Sequence, residues 1–599
     1  MSARYVRRSS GVGHGIHKKP PQPTGSEPSP SSVRRTTEPG SSTRGERYPS
    51  RQPSEEHTLA NVPYIGDNRG ARPYVYDLTH SEPSHPTAPV RHSNWTPIQF
   101  EQLKYIKAFE PLDENLSTGL LKCYISNIHY SLPILDLSAV LKSQVPYSES
   151  WLLYWSVMLA AANFAGPHLL QSAGVESRKE LKKEIYRRCK SLYDFDVGTN
   201  KITLIQSVIL MSFWYTDAQD HTGAWHWIGV GISLAQTLGL HRNHKGMANL
   251  TSREMCIRRR LWFSLIIRDR WLSLARGLPL RINDEDCDAI MPNIRDVLED
   301  GDDVDPVERM RFLPGDTEAL AELWILFAEA SVVLGQVLRV HYGIFAEREP
   351  FAALDSFEKH AFAMDACRPG RVDKRRLQRG NLIQYYQSEL YWHGVNVVLS
   401  RPYVLGSSFQ NPAVANLPIV QTALARARDS SRETNSVLES IMDLEDGVHL
   451  LKPMIITALI PSMQMHLYEC RGQSSTRTMV GHNRLNFCLS VLKLLRRTYW
   501  SANVTLQLFE HALRTLQTES LFHQKASAAS TQDVSGGQNV EYASQFVDPT
   551  FYPPSIWNTT GLVNDTGFPE IEQLFNANFA LPDNAVTWPQ DWSTWGTAV

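Results

Sequence analysis

Between about residues 95 and 520 the apolar positions recur with the period of helices. Leu181, Ile185, Cys189 and Leu192 fall at i, i+4, i+8 and i+11, one helix face. Lys179, Lys182, Lys183, Arg187, Arg188 and Lys190 are expected on the rest of that surface. Thr203 to Tyr215 is apolar nearly all round, which predicts a central helix. Gly223–Leu240 predicts another, stopped by Gly239, and Glu254–Ala275 a third, around Leu261, Trp262, Leu265, Ile266 and Ile267. Later helices are predicted over 316–346, 376–400, 416–442, 450–471, 482–500 and 502–518. Pro402, which has no N–H, is expected to end one of them just after Arg401. No Asn-Gly or Asp-Gly joins two alternating runs, so no hairpin is predicted. Asp300-Gly301 falls in the stretch 296–308, which holds seven acids and no Lys or Arg and reads as a loop. The fold class is all-α, with a large helical domain over 95–520 and no internal repeat to suggest a solenoid.

The two ends lose this pattern. Residues 1–92 are rich in Pro, Ser and Gly, and Met1–Arg51 carries ten Lys/Arg against three Glu. Such a segment buries too little apolar area to offset its ordering entropy and reads as a disordered basic tail. At the other end, 525–599 holds one Lys and eight acids with aromatics scattered among them, such as Phe546, Trp557, Phe568, Trp588 and Trp595. That is the composition of a disordered, acidic-aromatic candidate activation segment; an ordinary polar tail is the plainer reading. The whole chain has 60 Lys/Arg against 62 acids, which excludes an overall basic field that would draw it onto nucleic acid. Seven Cys, an odd number, speak against a disulfide-built secreted scaffold. The most apolar stretch, Trp151 to Ala162, spans about 18 Å as a helix, short of a bilayer core of about 30 Å. A soluble, intracellular protein with reduced thiols and no membrane partner is expected.

Catalytic and metal signatures mostly fail. No P-loop, His-Glu-x-x-His or Gly-x-Ser-x-Gly motif is present, and the alternating glycines Gly11, Gly13 and Gly15 lack the strand and helix a phosphate loop needs. Asp284, Asp286 and Asp288 have the first spacings of a calcium loop, but Ala289 replaces its Gly and Arg295 its bidentate Glu. His241 and His244 lack the further ligands of a zinc site. His226, between Trp225 and Trp227, reads as a core or boundary residue. Of Arg258, Arg259 and Arg260, at least one is expected to turn inward and pair with a carboxylate such as Asp269 or Asp286. Arg368, Arg371, Lys374, Arg375, Arg376 and Arg379 form a basic cluster, a solvated face or a nuclear-localisation patch. No catalytic residue, metal ligand or resident cofactor is assigned.

One ordered run of motifs is specific. It comprises LLKCYISNIHYSLPILD (Leu120–Asp136), YRRCKSLYDFDV, LIQSVILMSFW, AWHWIGVGISLAQTLGLHRN (Ala224–Asn243) and RRRLWFSLIIRDRWLSLARGLPLRINDEDCDAIMP (Arg258–Pro292). Over 117–292 the chain resembles the fungal-specific transcription factor domain, the all-helical middle homology region of zinc-cluster regulators. Its flavour is that of the cutinase and xylanase regulator-like subgroup. Tyr64-Ile65-Gly66-Asp67 and Glu389–Tyr403 resemble flanking parts of the same family. The resemblance carries over Trp225, Trp227, Gly239, His241, Arg242, Arg259, Arg260, Trp262, Asp269, Gly277, Pro279 and Asp286 as signature positions with structural or regulatory roles. Two departures stand out. The family's six-cysteine zinc cluster cannot be built from residues 1–122, because the first Cys is Cys123. Gly277-Leu278-Pro279 stands where the family has Gly-Arg-Pro.

The resemblance implies a nuclear regulator of RNA polymerase II transcription of a metabolic gene set. DNA and zinc binding are implied by family, through a module upstream of this chain or through a partner. Homo- or heterodimers, transcription machinery docked on the C-terminal tail, and a small-effector pocket between helices are expectations of the same kind. Direct DNA contact from this chain would come from Arg4, Arg7, Arg8, Lys18, Lys19, Arg34 and Arg35, as non-specific phosphate contacts. The alternative is a ligand-sensing or scaffold protein that never touches DNA and acts through a zinc-cluster partner. An all-helical metal-dependent enzyme such as a terpene cyclase is disfavoured, because the acids at 284–288 and 296–308 read as loops.

Overall fold

In the computed structural model the described residues are 96–142, 150–195, 200–214, 222–243, 250–343, 354–405, 415–472 and 475–532. Among them are eighteen α-helices and no strand. They run α1 (Pro97–Tyr105), α2 (Glu114–Asn127), α3 (Leu137–Lys142), α4 (Trp151–Ala161), α5 (Pro167–Ser172) and α6 (Arg178–Asp194). Next come α7 (Lys201–Met211), α8 (Ala224–Thr237), α9 (Ser252–Arg276), α10 (Ile294–Asp302), α11 (Pro306–Phe312) and α12 (Thr317–Tyr342). The last are α13 (Leu354–Ala366), α14 (Leu382–Leu405), α15 (Pro418–Met442), α16 (Met454–Cys470), α17 (Ser475–Leu495) and α18 (Trp500–Gln532).

Local chemistry sets many of the starts. Ser150, Ser177, Asn200, Thr251 and Asn293 each accept a first-turn N–H at the head of α4, α6, α7, α9 and α10. Such caps contribute about 1 kcal/mol apiece. Neighbours then stack in chain order: α4 on α6 and α7, α7 on α8, α8 on α9, α9 on α10 and α12. The stack continues through α12 on α14, α14 on α15 and α16, and α16 on α17. One apolar core runs through the stack from Leu103 to Leu513. All described residues lie in the compact unit Ser54–Val599.

The helical expectations hold, with informative differences. Leu181, Ile185, Cys189 and Leu192 are buried on α6 as the period requires. Lys182 is not on the surface, however. It is 3% exposed, with Nζ donating to Asn163 Oδ1 at 2.9 Å and reaching the Thr498 carbonyl at 3.5 Å. The junction of α17 and α18 covers that side of α6, which no local pattern reveals.

Pro402 does not end its helix; α14 continues to Leu405. The carbonyl that a residue-402 N–H would have used, Val398 O, instead accepts the Tyr342 hydroxyl at 2.6 Å. The acidic stretch 296–308 is helical rather than a loop, divided between α10 and α11. Its α10 part buries Asp296, Val297 and Asp300 on one face. Helix α18 runs to Gln532, past the expected boundary at 520. The tail 1–92, the Tyr64–Asp67 motif and residues 533–599 lie outside the described residues.

Helix α12 is longer than the stretch singled out as most apolar. By length and composition it could cross a membrane, with a mean hydropathy of 1.6 over its window, but 56% of that window is buried in the bundle. It packs against α9 and α14 as a core helix.

Candidate functional site

The signature positions gather around α9. Thr251 and Glu254 close a reciprocal cap at its start, and Gly277, with φ 63°, stops it in the left-handed region where a side chain is disfavoured. Its 25 residues span about 38 Å. Buried on it are Trp262, Trp271 and four arginines, Arg258, Arg260, Arg268 and Arg270.

The three adjacent arginines reach two helices, α8 and α10. Arg258 Nη1 donates to Leu238 O at 3.3 Å, placing a cation at the C-terminal end of α8. Arg259 pairs with Asp296 at 2.6 Å. Arg260 forms a two-pronged bond to Asp300, at 2.8 and 2.9 Å, with both side chains buried. Asp300 also accepts the Leu137 N–H, so α3, α9 and α10 meet at one carboxylate. Inward pairing was expected here, but the partners are Asp296 and Asp300 rather than Asp269 or Asp286. A loop reading of the acidic run hides these partners; the signal for them in the sequence is the i, i+4 spacing of Asp296 and Asp300.

Asp269 has a different task. Its carboxylate accepts the backbone N–H groups of Arg281 and Ile282, both at 3.2 Å, and the Arg270 guanidinium. Burial raises the Asp269 pKa, while Arg270 and the two amides oppose the rise. Arg270 donates on to Ile282 O at 2.9 Å and to Asp284, which also pairs with Arg339 at 3.2 Å. The loop after Gly277 is thereby tied to α9 and α12. Pro279 O accepts the Ser273 hydroxyl at 3.3 Å, and Leu278, in the place of the family's Arg, is 39% exposed.

The end of α8 closes the other side. Gly239 (φ 71°) turns the chain, and His241 O accepts the N–H groups of Asp288 and Ala289. Asp288 in turn takes Arg242 at 3.3 Å and the Asn243 N–H at 2.8 Å. Asp286 accepts from the Asn283 side chain at 3.1 Å. The acids at 284–288 thus fasten a loop. His244 lies outside the described residues. Trp227 is core, donating to Tyr186 Oη at 3.2 Å. Trp225 is only half-buried, with the Arg281 guanidinium 4.0 Å from its ring centroid.

The arrangement offers little for bond-making chemistry. Among the described residues no group of three or more His, Cys, Asp or Glu is placed to hold a metal. Burial pushes the Cys189, Cys256 and Cys488 thiols up to about 12, away from the reactive thiolate. In the basic cluster at 368–379, Arg376 pairs with Glu318 and Glu322, and Arg368, Arg371, Lys374, Arg375 and Arg379 are exposed. The sequence reading missed Arg268, Gln384, Gln387 and Lys452, which stand around two small interior cavities beside α9.

Residues 121–348, from α2 to just past α12, match the family described as the fungal specific transcription factor domain. Over those residues the chain is similar to that domain. The resemblance read from the motifs is thereby borne out, and the match extends beyond 292 to include α10, which Arg259 and Arg260 bind, α11 and α12. The chain is 26% identical over 461 residues to cutinase transcription factor 1 beta of Fusarium vanettenii, covering 70% of the chain and 52% of that protein. It is 25% identical over 411 residues to the acetamidase regulatory protein of Emericella nidulans, covering 67% of the chain and 47% of that protein. Cutinase transcription factor 1 alpha of Fusarium vanettenii is 23% identical over 405 residues, 66% of the chain and 42% of that protein. The chain spans about half the length of the curated relatives it matches.

Proposed function

We propose that this chain is the regulatory body of a fungal nuclear transcription regulator of the zinc-cluster type. The observation that carries the reading is the domain match over 121–348, where the signature residues pin α8, α9 and the 277–289 loop into one unit. Relatives named as transcription factors or regulators along two thirds of the chain support it. Some are named for cutinase and acetamidase, which favours control of RNA polymerase II transcription of a metabolic gene set. Sequence-specific DNA contact in such a regulator falls to a six-cysteine zinc cluster, which residues 1–122 have no cysteines to build. Base readout therefore comes from a module outside these residues or from a partner, and the basic segment 1–51 adds phosphate contacts. The acidic-aromatic segment 525–599 recruits transcription machinery.

The test tethers the full chain to a heterologous DNA-binding module in fungal cells, upstream of a reporter. Reporter output should rise and should fall several-fold when 525–599 is deleted. A tethered chain that leaves the reporter unchanged in either direction would sink the proposal.

A further inference from the structure

Between α13 and α14 the chain presents a row of cations on a pinned loop. Residues 368–379 carry six Lys/Arg against one Asp. The loop is built of three short 3-10 turns, Pro369–Arg371, Lys374–Arg376 and Arg379–Asn381. Cys367, Pro369, Val372 and Leu377 are buried and anchor it to the bundle. Asp316, at the head of α12, accepts the Gln378 N–H and the Asn381 side-chain amide, both at 2.7 Å. Asp373 accepts the Arg375 N–H at 3.0 Å. Between these anchors Arg368, Arg371, Lys374, Arg375 and Arg379 are exposed.

Arg376 is paired with Glu318 and Glu322. Arg368 lies over the Trp392 ring, 5.4 Å from its centroid. Glu389, buried on α14, feels Arg368 and Lys374, and Glu329, half-buried on α12, feels Arg371. Arg371, Lys374, Arg375 and Arg379 form no salt bridge with a described residue. Like charges set within twelve residues repel one another, and the anchored backbone keeps them from spreading apart. The loop is therefore a preformed surface for a segment that carries several spaced anions, and docking there costs the loop little ordering.

We propose that this loop docks the chain's own acidic segment, residues 533–599. That segment holds eight acids and no Lys or Arg, with aromatics interspersed. It starts where α18 ends, at Gln532. Its 67 residues reach about 220 Å fully extended and span about 45 Å as a flexible coil, enough to bring its acids to the loop. Attachment to the same chain makes the docking intramolecular, so pairs that are weak one by one act together. The carboxylates meet Arg371, Lys374, Arg375 and Arg379, and exposed guanidinium groups offer a face to the aromatic rings. While docked, the segment keeps the loop from other polyanions. A nucleic-acid backbone, with its higher charge density, competes for the same cations.

The test is zero-length carbodiimide coupling in the purified full chain, with the joined peptides identified by mass spectrometry. Lys374 is the only lysine in 368–379, and an amide forms only with a carboxylate in contact with it. Lys374 should couple to acids of 533–599 at low salt, and the yield should fall several-fold at about 0.5 M sodium chloride, where surface charges are screened. Arg375→Glu combined with Arg379→Glu should also lower the yield several-fold. Both side chains are exposed, so the unfolding midpoint should not move, which separates lost docking from lost folding. An unchanged yield in that double variant overturns the site. So does the absence of coupling at a Lys374 that acetic anhydride still acetylates. Coupling of the acidic segment to Lys18 or Lys19 alone would place it on the basic segment 1–51 and overturn the assignment. Coupling found only between chains, in a mixture of ¹⁵N-labelled and unlabelled protein, overturns the intramolecular contact. A Lys374 that does not couple but is shielded from acetylation by added duplex DNA makes nucleic acid the occupant instead. The readout is contact rather than transcription, so its failure and that of the transcriptional reading are distinguishable.

Discussion

Arg260 and Asp300 are 0% and 1% exposed and face each other through two parallel bonds. Breaking such a pair from one side leaves an uncompensated charge in the interior, at a cost of roughly 3–5 kcal/mol. Asp300→Asn should destabilise the chain by about that amount, read from urea unfolding. Adding Arg260→Met should recover much of the loss, because removing both charges can be nearly neutral. A double variant as unstable as the single one would show that Asp300 acts mainly through the Leu137 N–H. At this scale half of the answer was legible in the chain itself. An inward arginine was legible from three in a row on an apolar helix; its partner was not, since Asp300 lies 40 positions away in a run read as solvent-exposed.

At the scale of elements, α14 shows how a neighbour alters a local rule. A proline has no N–H and should end a helix, yet α14 passes through Pro402 because the Tyr342 hydroxyl from α12 takes up Val398 O. Tyr342 also accepts from Arg401 Nε at 3.1 Å. Tyr342→Phe should therefore cost about 1–3 kcal/mol by leaving a buried acceptor unpaired. The cost should shrink in a Pro402→Ala background, where the restored N–H can reach Val398 O. A double-mutant cycle by chemical denaturation checks this, and strictly additive effects would remove the link. Element positions were otherwise legible, because apolar period and caps are local properties. Lys182 was misplaced because the cover over its face arrives from the junction of α17 and α18, more than 300 positions later.

For the whole molecule, the buried lysines give stability a dependence on pH. Burial lowers Lys182 and Lys452 to about 7, whereas an unfolded lysine keeps its proton to about 10.4. Between these values the unfolded chain binds more protons than the folded one, so stability should rise as pH climbs from about 7 toward 10. Urea midpoints measured across that window should show the rise, and Lys452→Met should reduce it. A flat profile in the wild type would mean that both ammonium groups are compensated in the fold.

The sequence by itself determined the all-α class, the course of most helices, the family resemblance over 117–292 and the loop that follows Gly277. Each of these rests on local information: apolar spacing, capping residues, a left-handed glycine or an ordered run of motifs. Only the tertiary structure decided which carboxylates meet Arg259 and Arg260, why Pro402 sits inside a helix, and where Lys182 goes. It also decided that Arg268 and Lys452, 184 positions apart, line one cavity. Burial and pairing depend on what arrives from distant parts of the chain. Lys452 stands alone as a charge in the apolar stretch Leu450–Ile456, and its surroundings are set only by the packing of α9, α12 and α14 around it.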